Sequence, residues 1–268
     1  QLETIRSGEY ERLRGRLVPT PEARALLVDV ERMFIGIGAI EHRLRSLREY
    51  GLDQLQLACY PAFGLGFMPR CLKKFMATMK TAHRPQVSLQ LLSSKDVRDR
   101  VVSGLADFGL MADEVSTDGL ETSTFAKFPG VVVMSRDHPL ARHRQVKPDQ
   151  LAEVPFIALN PEDASRRRLE AALAAQGTRL HVSMHTPYAA SVCELALHGL
   201  GVGIVNPITA LDYAERGLAV RRLSVDVTFT CLLAIPAGRL LSGTAKSLLA
   251  LMRKQVQEDE QRLRTHLK

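Results

Sequence analysis

The chain has 268 residues, 46 % of them hydrophobic and 24 % charged, with a formal net charge of +7. That composition is that of an ordinary globular chain, long enough for one large domain or two small ones with proper cores. No apolar run approaches the roughly 18 residues a membrane-spanning helix needs, and the opening residues carry no apolar signal core, so the expected place is the cytoplasm. The positive balance suits an anionic partner or an ordinary basic protein equally well.

The first readable element is the basic, strand-like stretch from Arg14 to Pro19. Thr20 then stands as a helix N-cap, with Pro21 at the first helical position. Leu26, Val30, Met33, Ile37, Ile40, Leu44 and Leu47 recur at alternating spacings of four and three, and Gly51 ends the run. This narrow a/d seam predicts a dimerising helix, the alternative being a helix buried against its own chain.

From residue 52 onward, strands and helices alternate. LDQLQLACY reads as a strand, PAFGLG as a turn, and residues 67–81 as a helix. QVSLQLL, SSKDVRDRVVSG and ADFGLM follow as strand, helix and strand. Residues 119–141 hold two extended pieces with a turn at Arg136–Leu140. PFIAL, a helix over 166–175, RLHVSM, a helix over 188–198, GVGIVN and LAVRRL repeat the alternation. VTFTCLLAIP is the last strand, and a helix over about 242–263 closes the chain. Two successive α/β units with parallel pairing are therefore expected.

The chemistry-bearing motifs are mostly absent. GLGVG at 199–203 precedes a strand instead of joining a strand to a helix, so it fails the context of a dinucleotide loop. HExxH, GxSxG and paired-carboxylate patterns are missing, and His185, Ser191 and Cys193 read as an accidental cluster. Cys59, Cys71, Cys193 and Cys231 form no CxxC pair; they are expected to be reduced and buried. No catalytic residue, metal site or cofactor is predicted.

In open α/β sheets a ligand binds beyond the carboxyl ends of the strands, at helix N-termini. The corresponding loops are Tyr60, Pro61, Ala62 and Phe63; Ser93 and Ser94; Asn160; His185 and Thr186; and Asn206. Their neutral donors and free helix N–H groups suit a small carboxylate. Each alone is equally a helix cap. Asp113 and Glu114 follow the third strand, where they meet an amino group or form a solvated turn.

RLRGRLVPTPEARALL resembles the wing-to-linker junction of LysR-type transcriptional regulators. Gln1-Leu2-Glu3 is similar to the last turn of their DNA-recognition helix, and Tyr10-Glu11-Arg12 stands where they usually carry Leu-Phe-x-Arg. RDHPLA at 136–141 and GLGVGIVNP at 199–207 match in order and spacing, and the resemblance covers essentially the whole chain. It implies an α/β fold of a dimerisation linker helix followed by two periplasmic-binding-protein-like (type 2) subdomains. Residues 1–19 would be the remnant of a winged helix-turn-helix and 20–51 the linker. Residues 52–268 would bind the effector, with subdomain I at about 52–128 and 229–268 and subdomain II at about 129–228.

The stretch 188–230 is similar to the members that activate lysine biosynthesis. That likeness implies diaminopimelate as coinducer and lysine as its opponent. Paralogues sensing another amino acid or an organic acid share much of the pattern. The resemblance also implies promoter DNA as a partner of the full-length protein, a homodimer through the linker helix and a homotetramer. Arg12, Arg14 and Arg16 would contact phosphate or minor groove. The first helices of the DNA-binding domain are absent from the 268 residues, so this chain alone is not expected to bind an operator. A free-standing solute-binding protein shares the architecture but has no use for the heptad helix; an α/β enzyme lacks its catalytic residues.

Overall fold

The computed structural model describes residues 10–13, 16–20, 54–80 and 84–267. Near its start, β1 (Tyr10–Leu13) pairs antiparallel with β2 (Arg16–Pro19), Leu13 opposite Arg16 and Tyr10 opposite Pro19. Residues 16–19 of the basic stretch are thus the second strand of an antiparallel pair. Thr20 is buried; the heptad helix it was expected to cap, and the stop at Gly51, lie outside the described residues.

The body begins with β3 (Gln54–Cys59), α1 (Pro61–Gly64), α2 (Phe67–Ala77), β4 (Gln86–Leu91), α3 (Ser94–Val102), β5 (Phe108–Ala112) and the long β6 (Leu120–Pro129). After Gly130 come β7 (Val131–Ser135), a 3-10 turn (Pro139–Arg142), β8 (Gln145–Val146), α4 (Pro148–Ala152), β9 (Pro155–Leu159) and α5 (Ala164–Ala174). Then follow β10 (His181–Thr186), α6 (Ala189–Leu197), β11 (Val202–Val205), α7 (Pro207–Ala214) and β12 (Leu218–Leu223). β13 (Thr228–Pro236) and α8 (Gly243–His266) complete the fold.

These strands make two mixed sheets. The first has the order β4-β3-β5-β13-β6, the second β10-β9-β11-β7-β12-β8. In each, three strands pair in parallel and the chain then adds antiparallel neighbours, β13 and β6 in one, β7 and β12 in the other. The central strands of the second sheet, parallel β9 and β11 and antiparallel β7, lie under helices on both faces, which is why FIAL, VGIV and VVVM are continuously apolar instead of alternating. One core packs α2 and α8 on the first sheet, with Leu57, Phe67, Phe108 and Met252 at its centre. The second sheet is covered by α6 and α7 on one face and by α4 and α5 on the other. Each fully buried Leu or Phe contributes on the order of 2 kcal/mol.

The chain passes between the sheets twice, at Gly130 and again between Leu223 and Thr228. The two crossings are bonded to each other, the Gly130 N–H donating to the Val227 carbonyl at 2.7 Å. A Cβ on Gly130 would stand 2.8 Å from the Phe229 ring and 3.3 Å from that carbonyl. Only glycine lets the strands cross this closely. The GLGVG segment also has a packing role: Gly201 has φ +152°, and a Cβ there would meet the Pro155 carbonyl at 2.5 Å.

Two expectations need revision. Residues 207–214, to which the periodicity assigns no element, form α7; Ile208, Thr209, Ala210, Leu211 and Ala214 are all buried, so no polar face shows in the sequence. The turn PAFGLG contains the short helix α1.

All four cysteines are free and buried. Burial pushes the Cys71 thiol up to about 12 and those of Cys59, Cys193 and Cys231 well up. The thiolate is the nucleophile, so the native protein should release no colour from an aromatic disulfide reagent at pH 8. All four thiols should react after denaturation. Rapid labelling of the native chain would contradict this burial.

Candidate functional site

A cavity of about 410 Å³ opens between the two sheets, at the carboxyl ends of their parallel strands. The first sheet supplies Tyr60, Pro61 and Ala62 after β3, Ser93 and Ser94 at the start of α3, and Ala112 and Glu114 after β5. The second supplies Leu159, Asn160, Glu162, Asp163 and Ser165 around the start of α5, then Pro187, Tyr188, Ala189 and Asn206. Phe229 and Thr230 of β13 lie between them.

Helix starts dominate these walls. Ser93 caps α3, its Oγ accepting from the Asp96 N–H at 3.2 Å. Ser94 follows, 8 % exposed, and its Oγ accepts from the Ala112 N–H at 3.1 Å. That bond holds the hydroxyl in place and leaves its hydrogen for an acceptor in the cavity. Asp163 caps α5 by accepting from the Ser165 and Arg166 N–H groups. Helix α6 begins at Tyr188 with no side-chain cap, so its first-turn N–H groups remain donors without a side-chain acceptor. Burial pushes the Tyr60 hydroxyl well up, so it stays neutral and can donate.

Among the described residues the cavity's charged side chains are all carboxylates, Glu114, Glu162 and Asp163, with no lysine or arginine in its lining. Burial pushes Glu114 up, opposed by the Ala164 N–H and reinforced by Asp163 and Asp113. Such a site offers neutral donors and helix N-termini to a carboxylate, and carboxylates to an ammonium group.

Several contacts cross from one sheet's unit to the other. Glu114 accepts from the Ala164 N–H at 3.1 Å, and Arg168 makes two bonds of 3.1 Å to Asp113. Thr209, held by Asn206, donates its Oγ1 hydrogen to the Ala62 carbonyl at 3.1 Å. Arg70 of α2 pairs with Asp212 of α7, and with Asp259 of α8 at 2.9 Å.

Of the residues expected at the site, Tyr60, Pro61, Ala62, Ser93, Ser94, Asn160 and Asn206 line this cavity. Four do not. Phe63 is 1 % exposed and packs edge-on against Phe67 and Phe125, because the short helix α1 turns it into the core. Asp113 is engaged by Arg168, and its neighbour Glu114 takes the place in the lining. His185 and Thr186 belong to the edge strand β10, and the chain reaches the cavity only with Pro187 and Tyr188. Asp163 was readable as a helix cap; Phe229 and Thr230, inside a strand, carried no signal. Arg14 lies outside the described residues. Arg12 and Arg16 lie on β1 and β2, with their side chains outside the description.

His185 is exposed, whereas Cys193 is wholly buried in the second core. Among the described residues no group of His, Cys, Asp or Glu is placed to hold a metal ion, and no helix is long and apolar enough to cross a membrane.

Residues 51–257 match the family profile of the LysR substrate binding domain. The chain is 34 % identical over 240 residues to the transcriptional activator protein LysR of Escherichia coli K12, covering 89 % of this chain and 76 % of that protein. It is 27 % identical over 220 residues to the octopine catabolism/uptake operon regulatory protein OccR of Rhizobium meliloti, covering 81 % and 71 %. Its fold is similar to the effector binding domain of QuiR, solved in complex with shikimate, with a TM-score of 0.61 at 15 % identity, over 76 % of this chain and 97 % of that one.

Proposed function

The chain belongs to the LysR-type transcriptional regulators, which are not enzymes, and on that premise we propose that its cleft senses an amino acid bearing a second ammonium group. Diaminopimelate is the effector and lysine its antagonist, in control of lysine biosynthesis. The observation that carries this reading is the charge of the lining among the described residues: three carboxylates, no cation, and uncapped or hydroxyl-bearing helix starts. An organic acid without an amino group would bring anions to acidic walls with no counter-charge. Diaminopimelate presents two carboxylates, one for the α3 start at Ser94 and one for the α6 start, with its ammonium groups toward Glu114 and Asp163. Lysine has one carboxylate, so it fills the cleft without bridging both helices.

Family members bind DNA and small effectors and act as oligomers. In the proposed assembly residues 1–19 belong to the wing of a DNA-binding domain, with Arg12, Arg14 and Arg16 toward the phosphates. Residues 20–51 form the dimerising linker, and the full-length protein is a cytoplasmic homotetramer. Subdomain I takes about 52–128 and 229–268, subdomain II about 129–228. Effector binding favours the closed cleft by its differential affinity for that state, and closure repositions the linker helices.

Calorimetric titration tests the reading. meso-Diaminopimelate should bind saturably and L-lysine should compete. Pimelate, the same carbon skeleton without amino groups, should not bind. Glu114→Gln should weaken diaminopimelate about tenfold, the loss of one charge-assisted hydrogen bond. Pimelate binding as tightly as diaminopimelate would overturn the reading; octopine binding instead would make the chain a sensor of another amino-acid derivative.

A further inference from the structure

We propose that the protein has a second small-molecule site, beside its two crossings, that takes a small anion with an apolar body. A cavity of about 410 Å³, the size of the cleft, lies there and shares no residue with the cleft. Its wall combines the end of β6, Gly130, the start of β7, the end of β12 and the last turns of α8. Its floor is apolar: Phe128, Val131 and Leu263 are all buried.

The rim has the opposite character. Lys127, Arg222 and Arg264 surround that floor, against one carboxylate, Glu260. None of the three cationic side chains has a hydrogen-bond or ion-pair partner among the described residues, unlike Arg221 beside them, which is bonded to the Ala141 carbonyl. Like charges gathered around a low-dielectric hollow raise the local potential and draw an anion. Arginine's planar fork matches a carboxylate or phosphate with two parallel bonds. The volume falls in the range of small-ligand pockets, and the apolar floor favours a ring or short chain over a bare ion. The charge preference is the reverse of the cleft's, so the two sites take different ligands. An occupant touches both sheets where the chain passes between them.

Phenyl phosphate is the probe, titrated calorimetrically into the folded chain. It should bind saturably, and more tightly than inorganic phosphate. The double variant R222Q/R264Q, with both arginines exposed and replaceable without loss of fold, should bind it about tenfold or more weakly, the loss of charge-assisted hydrogen bonds. It should keep the wild-type circular dichroism and its response to meso-diaminopimelate. S94D, altered in the cleft, should bind phenyl phosphate as the wild type does. Absence of saturable binding, equal affinity in R222Q/R264Q, equal affinity for inorganic phosphate, or loss of binding in S94D would each overturn the site.

Discussion

Replacing Arg70 with methionine is expected to destabilise the protein by about 3 kcal/mol, lowering the melting temperature by on the order of 10 °C for a domain of this size. Arg70 bonds Asp259 at 2.9 Å and also pairs with Asp212. Asp259 is 0 % exposed. Without Arg70 its remaining partners are the Gln255 amide at 3.0 Å and Arg262 at 3.5 Å, the latter partly in solvent and also paired with Glu215. A buried carboxylate deprived of its main counter-charge keeps the desolvation cost and loses the compensation, which is why removing one partner is so much worse than removing both. The double variant R70M/D259L should therefore recover much of the loss. Thermal melts followed by circular dichroism read both effects; an unchanged melting temperature in the single variant would show that Asp259 is satisfied without Arg70.

The magnitudes also rank the contacts that join the two units. Arg70, Asp212 and Asp259 join α2, α7 and α8 in a mostly buried cluster, so separating them is costly. At the cleft mouth, Arg168 and Asp113 are partly in solvent, and an ion pair of that kind is worth about 0.5 kcal/mol. Glu114 adds one hydrogen bond to the Ala164 N–H, worth about 1 kcal/mol net. The mouth contacts are weak enough to break thermally while the Arg70 cluster holds.

The alternation of strands and helices was legible because the central strands are continuous apolar runs, β3 alternates Gln with Leu, and half of the helices begin at a Ser, Asp or Asn cap. Helix α7 was not, because burial on nearly every side erases the polar face that periodicity detects. The site followed the same division. Ser94 and Asn206 could be placed because a topological rule puts ligands at helix starts after parallel strands. Phe63 failed that rule for a local reason: one turn of helix α1 rotates it inward. For Glu114 the sequence does not separate an amino-group partner from a solvated turn, since two adjacent acids after a strand look the same in both cases. The contact that holds Glu114 at the cavity comes from the helix start at Ala164, fifty residues away, and no local pattern carries it. Phe229 and Thr230 reach the cavity because β13 returns between β5 and β6, a placement set by the pairing of distant strands.

Replacing Ser94 with aspartate is expected to abolish effector binding while leaving the fold intact. Aspartate in the first turn of a helix is favourable to the macrodipole, and a carboxylate can still accept from the Ala112 N–H that Ser94 Oγ binds at 3.1 Å. The substitution therefore preserves α3 and its tie to β5. In the cavity it puts a negative charge where the proposed effector carboxylate must sit, and it removes the hydroxyl donor. Juxtaposed like charges in a partly desolvated site cost several kcal/mol, so affinity should fall by about two orders of magnitude or more. Ser94→Ala, which removes the donor without adding charge, should cost only about tenfold. The contrast separates a lost hydrogen bond from an occupied anion site, and an unaltered melting curve in both variants excludes unfolding. If S94D binds meso-diaminopimelate as tightly as the wild type, the carboxylate is held elsewhere, and the uncapped start of α6 at Tyr188 becomes the place to substitute next.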